Sequence, residues 1–267
     1  MTRFIRVACA LAALVAAPAY AQEDAVTEEE PGDAEAAPEH PLSLHLSAGL
    51  GIGTRAVDVP LDGALHQTRT GAFPAFVVGF DLQYAASSAF GIGLVTRYQS
   101  SVLGHPMVEQ HTDGTDRPMD VRAHRFELSL APTLFFDDAR RWSLGLAAGY
   151  ATRNLRPEVH HLLTPSYSLS GPHLRLDLGL PLWEDMLRLR LGPEAHILVD
   201  VGSELRDRDV AGEGLGLGFE AALALKLTAA LSVHLTYRET HASLDTEQGE
   251  SFSDVGRYVT TRLEGRL

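Results

Sequence analysis

Cysteine is nearly absent: the 267 residues include one, Cys9, close to the start. A disulfide scaffold is therefore excluded, and stability must come from burial, hydrogen bonding or a bilayer. A lipoprotein anchor is not expected, because it requires a Cys after the apolar stretch that Cys9 begins. Positive charge is also short, with 22 Lys and Arg against 35 Asp and Glu, a formal −13. Nucleic acid is excluded as a partner on that ground, since its phosphates call for a basic surface. No apolar run reaches the ~18 residues of a spanning helix, so any membrane protein built from this sequence must use strands. What is present, 45% hydrophobic residues with 24 Gly and 14 Pro, suffices for a sizeable core in one or two domains.

Arg3 and Arg6, the apolar stretch from Val7 to Ala17, and Ala19-Tyr20-Ala21 have the three parts of a secretory signal over residues 1–21, cleaved before Gln22. Removing it leaves a chain without cysteine. Residues 22–41, with Glu28-Glu29-Glu30, Pro31-Gly32 and Pro38, offer almost nothing large and apolar, and they predict a disordered acidic linker. A tail that captures cations or a basic partner is the functional alternative. Residues 1–40 hold two arginines against eight acids, a net −6, which leaves −7 for the other 227.

From Leu42 onward the texture is alternation of period two. Leu231, Val233, Leu235 and Tyr237 alternate with Ser232, His234, Thr236 and Arg238, and helical spacing cannot put all four apolar residues on one side. The same template predicts strands at 42–52, 73–84, 89–99, 121–136, 141–153, 172–182, 186–199, 214–227, 231–241 and 255–267. The segments between them have lengths 20, 4, 21, 4, 18, 3, 14, 3 and 13. Long and short connections alternate strictly, so one end of an antiparallel sheet carries every long loop. Ala86-Ser87-Ser88 and Asp137-Asp138 punctuate the short turns. Pro132 and Pro193 each remove a ladder donor, and a bulge or local break is expected at both.

Each strand has a large apolar set, such as Leu215, Leu217, Phe219, Ala221, Leu223 and Leu225, and a small or polar set, such as Gly216, Gly218, Glu220, Ala222, Ala224 and Lys226. A ten-stranded lumen has no room for dozens of leucines, so the leucine face is expected outward, in lipid. The inward set then includes Asp81, Arg97, Glu127, Arg175, Asp177, Arg188, Arg190, Glu194, Glu220, Arg262 and Glu264. Arg122, Glu239 and Arg257 share the outward parity near the long-loop ends. Outward aromatics fall at two levels, Tyr84, Phe90, Phe136 and Trp142 by the short turns and Phe76, Tyr98, Tyr150 and Tyr237 by the long loops, as in two interfacial girdles. A soluble β-sandwich is the competing architecture.

On Ala19-Tyr20-Ala21, the ten alternating segments and the terminal strand, residues 42–267 resemble the small outer-membrane β-barrel proteins of Gram-negative bacteria. The resemblance implies short periplasmic turns, long extracellular loops, contact with outer-membrane lipids, and recognition by the barrel-assembly machinery during biogenesis. Val259, Leu263 and Leu267 fit the alternating terminal pattern of such proteins, while Thr261 and Gly265 do not, and Leu stands where Phe is usual.

Chemistry is sparse. His66, His105, His111, His160, His161 and His241 fall in or beside the long loops, where solvated histidines or a zinc or copper site assembled from several loops are the alternatives. His45, His196 and His234 have inward parity. His241-Ala242-Ser243, followed by Glu247, Glu250 and Asp254, is similar to the His-x-Ser of outer-membrane lipid A deacylases, but Leu244 stands where that family has Asn. For omptin-type proteases, also ten-stranded, the sequence offers no pairing of acids and histidine that can be placed. Gly49-Leu50-Gly51 and Gly216-Leu217-Gly218 read as lumen glycines rather than phosphate loops. Arg175, Asp177, Arg188, Arg190 and Glu194 are expected to form a mixed charge network that cross-links the lumen. The expectation is a barrel with no cofactor, no metal and no enzymatic activity, whose long loops carry a surface or envelope role. A lipid-acting enzyme and a small-solute pore are the alternatives.

Overall fold

The computed structural model describes residues 41–61, 64–102, 105–110, 116–137, 140, 142–157, 165–183, 186–207, 210–246 and 251–267. The expected signal, the linker up to residue 40, His111, His160, His161, Glu247 and Glu250 lie outside the described residues.

Twelve strands form one antiparallel sheet: β1 (Leu42–Leu61), β2 (Ala64–Thr70), β3 (Phe73–Ala85), β4 (Phe90–Ser101), β5 (His105–Gln110), β6 (Asp116–Phe135), β7 (Ser143–Pro157), β8 (Tyr167–Trp183), β9 (Leu187–Leu198), β10 (Val210–Lys226), β11 (Leu231–Thr246) and β12 (Ser251–Arg266). Each long strand pairs with its sequence neighbour, and β12 closes on β1 in a register from His45 opposite Arg266 to Asp58 opposite Ser253. The result is a closed barrel of ten strands. The short β2 and β5 continue the wall above β3 and β4, with β2 pairing β1 and β5, and β5 pairing β6. No helix among the described residues is long and apolar enough to cross a membrane.

All ten expected strands are present, and their short-turn ends agree with expectation to within two residues. At the loop end eight of the ten run further, whereas β3 begins at Phe73 as expected and β9 stops at Leu198. Much of what the sequence pattern assigned to long loops is strand, including 53–61, 64–70, 116–120, 167–171 and 242–246. Wall strands of 12 to 20 residues exceed the ~9–11 that cross a bilayer, so the barrel rises beyond the membrane at its loop end.

The reason is an inversion of polarity along each strand. In β1, Leu42, Leu46, Leu50 and Ile52 are exposed on the outer wall, whereas beyond Arg55 the apolar residues, Val57 and Val59, are completely buried inside. In β11, Leu235 and Tyr237 face out and Ala242 and Leu244 face in. The same switch brings Val121 and Ala123 of β6, Leu155 of β7, Leu169 of β8 and Phe252 of β12 inward. The parity of the wall never changes; the solvent around it does. Lipid favours apolar residues outside and water favours them inside.

Pro132 and Pro193 behave as lone missing donors. Pro132 stays in register with Ile92 of β4 while the β6–β7 ladder skips from Leu130 to Thr133. Pro193 pairs with Phe219 of β10 while the β8–β9 ladder skips from Arg175 to Leu178. Neither skip shifts the register.

Candidate functional site

Inside the barrel the side chains stack in three layers. The middle layer is charged: Glu127 (β6), Glu194 (β9) and Glu220 (β10) meet Arg97 (β4), Arg125 (β6), Arg175 (β8) and Arg238 (β11). Arg97 Nη1 donates to both Glu220 oxygens at 3.0 Å. Arg125 donates from Nε to Glu127 at 2.6 Å and from Nη2 to Glu194 at 3.0 Å. Arg238 donates to Glu127 and Glu194 and lies 3.8 Å from Glu220. Arg175 bonds Asp177 at 2.9 Å and lies 3.7 Å from Glu127. In the strand order β4 lies opposite β10, and β6 lies opposite β11. The Arg97–Glu220 and Arg238–Glu127 pairs therefore span the lumen across its width. Buried charges persist only when paired, and each carboxylate here has more than one cationic neighbour.

Of the network expected from sequence, the structure brings together Arg175, Asp177 and Glu194. Arg188 instead donates to the carbonyl of Arg140, and Arg190 has no carboxylate at ion-pair distance among the described residues. Of the network's other members, Arg97, Glu127 and Glu220 belong to the inward set read from the sequence, and Arg125 and Arg238 share the same parity, a signal that was available in the alternation.

His173 Nε2 lies 3.2 Å from Glu194, and Glu127, His173 and Glu194 are the one set of potential metal donors gathered among the described residues. Arg125 and Arg238 point at the same carboxylates, so the positive charge an ion would bring is already supplied. The donor set does not fit a metal without displacing two arginines.

Above this layer, Asp254 is fully buried and receives both Nε and Nη2 of Arg55, at 2.9 and 2.6 Å, with Arg153 at 3.4 Å. Burial disfavours the carboxylate, but Arg153 and Arg55 outweigh it and hold its pKa below the ordinary value. Arg55 also lies 5.5 Å over the Tyr167 ring, which packs edge-on against Phe252 at 5.2 Å. From there up the interior is apolar: Val57, Val59, Val121, Leu155, Leu169, Leu198, Val210, Leu244 and Phe252 surround Val201 and Leu205. The last two come from the β9–β10 connection, which folds into the barrel mouth. Ser170 of β8 pins it through a backbone bond to Asp200, Gly202 turns it with a φ of 80°, and a helical turn, Ser203–Arg206, points Leu205 inward. The positive φ is one that glycine adopts without strain.

Below the charged layer a cavity of about 400 Å³ opens at the short-turn end. Its walls carry Arg140, Arg175, Arg188, Arg190, Lys226 and Arg266 against Asp81, Asp177 and Glu264. His45 lies 3.2 Å from Glu264, and His234 bonds Ser232 at 2.9 Å, as their inward parity implied. Within the charged layer, beside Arg97, Glu127, Glu220 and Arg238, a void of about 30 Å³ has room for little more than a water molecule.

His241 and Ser243 are exposed on the outer wall, whereas Asp254 faces inward and is held by Arg55. His66 is buried in β2, and His105 lies in β5. On the outer wall Tyr84, Phe90, Phe136, Trp142, Tyr150 and Tyr237 are exposed, and Phe76 and Tyr98 are half-buried with ring centroids 5.7 Å apart. Glu239 and Arg257, also on that wall, pair at 3.1 Å.

No family model and no curated protein sequence matches the chain. Solved structures do. The outer membrane protease OmpT from Escherichia coli is 15% identical and matches with a TM-score of 0.53 over 85% of this chain and 96% of that one. The translocator domain of the autotransporter NalP from Neisseria meningitidis, 11% identical, matches with a TM-score of 0.42 over 86% and 90%. The fold is thus that of the outer-membrane β-barrels, as the sequence pattern implied. The expectation of no enzymatic activity is corrected by the first match. That expectation weighed chiefly one local motif, and the barrel is a scaffold that in OmpT carries a protease.

Proposed function

We propose that this outer-membrane barrel is sealed to solutes and works at its ends, with the raised loop-end rim as a surface for partners outside the membrane. The observation that carries this reading is the apolar core around Val201 and Leu205, which fills the barrel mouth directly above ion pairs that span the lumen. Ten strands enclose a space that side chains can fill, whereas open aqueous channels belong to barrels of about 16 strands. The rim has the composition of a water-facing surface, with Arg122, Arg156, His241, Ser243 and Asp245 exposed on it. Below it, the exposed leucines and aromatics match contact with outer-membrane lipids.

Liposome swelling tests the sealing. Vesicles carrying the refolded protein should respond to arabinose or glucose no faster than empty vesicles. Swelling that scales with the amount of protein would overturn it.

A further inference from the structure

We propose that the cavity at the short-turn end is a binding site for a small, multiply charged phosphate taken from the periplasmic side. The chain as a whole carries −13, yet the cavity walls hold six cationic side chains against three acids. Two of those acids are committed locally, Asp177 to Arg175 at 2.9 Å and Glu264 to His45 at 3.2 Å. Arg190, by contrast, has no carboxylate at ion-pair distance among the described residues, and neither Lys226 nor Arg266 has one. These three stand on β9, β10 and β12, so they approach one space from adjoining parts of the wall. His234, only 4% exposed and also lining the cavity, leaves Nδ1 without a partner.

Lys226 and Arg266 are exposed and Arg190 is half-buried, so an anion entering the recess meets like charges from three strands whose field the recess concentrates. Guanidinium forks match phosphate oxygens, and about 400 Å³ is the size of a small-molecule site rather than of a polymer channel. The mouth opens along the barrel axis to water, which selects a free phosphate over a lipid headgroup. None of this depends on whether the loop end is sealed.

Lys226 is the only lysine in the chain, so an amine-reactive acetylating reagent has two targets, Lys226 and the N-terminus. The probe is inorganic pyrophosphate, with the refolded full chain in zwitterionic detergent and the modification read by mass spectrometry. Pyrophosphate should slow acetylation of Lys226 at least tenfold and leave the N-terminus unchanged. The protection should weaken as salt rises. The double variant Arg190→Gln/Arg266→Gln, checked for folding by its gel shift on heating, should lose the protection, whereas Arg257→Gln on the outer wall should retain it. Equal protection of both amines, protection that survives Arg190→Gln/Arg266→Gln, or none at millimolar pyrophosphate would overturn the proposal. So would protection by phosphatidylglycerol micelles without pyrophosphate, which would assign the cations to a headgroup.

Discussion

Replacing Arg238 by leucine removes the cation shared by three carboxylates. Glu127 keeps Arg125 at 2.6 Å and Arg175 at 3.7 Å, Glu194 keeps Arg125 and His173, and Glu220 keeps Arg97 at 3.0 Å. No carboxylate is wholly abandoned, so the loss falls at the low end of the ~3–5 kcal/mol for breaking a buried pair. About 3 kcal/mol is roughly a hundredfold in the folding equilibrium. The reference is Arg257→Leu, the same chemical change at an outer-wall pair whose partners are 57% and 38% exposed, where water and headgroups replace the lost partner and no measurable change is expected. Urea titrations in phosphatidylcholine vesicles, followed by the fluorescence of Trp142 and Trp183, measure both. Adding Glu194→Leu to Arg238→Leu should recover part of the loss, because an apolar pair leaves less charge uncompensated. If Arg238→Leu lost no more than Arg257→Leu, the claim that ion pairs bridge the lumen would fail.

Three further perturbations address the other levels. Leu223, 39% exposed on the outer wall, should cost about 2–4 kcal/mol in bilayer stability as Leu223→Arg, while the inward Ala224→Ser costs far less; the reverse order in folding efficiency would invert the faces. Phe252→Ala should cost about 3–5 kcal/mol in the same titration and leave insertion intact, since Phe252 is buried in the mouth rather than in lipid; lost insertion would place it wrongly. Asp254 has a folded pKa below its unfolded value, so its contribution is present above about pH 4 and lost as pH falls through the lower folded value. Asp254→Asn should therefore flatten the acid side of the stability profile, and an unchanged slope would contradict the assignment.

The strands were legible because alternation with a leucine-rich face is a local signal, and short turns mark where each hairpin reverses. The same template stopped too early at the other end for a physical reason. It followed apolar residues on the outward parity, and at Thr54, Glu239 and Arg257 that parity becomes polar while the wall continues. Val57 and Val59 still alternate, one position out of phase with Leu50 and Ile52, and a search for phase reversal would have found the raised rim. The inward charges were legible by parity, but their partners were not. Whether Arg97 meets Glu220 or Arg238 meets Glu127 depends on strand stagger around a closed barrel, which no single strand encodes. The cavity was illegible for the same reason, since Arg190, Lys226 and Arg266 share a level only after closure.

Single-channel recording in planar bilayers tests the sealed barrel most directly. The refolded protein should give no stable conductance of porin size, because apolar side chains fill the mouth and ion pairs span the lumen beneath them. Reproducible large steps from the unmodified chain, unchanged by Arg97→Ala or Arg238→Ala, would contradict the account.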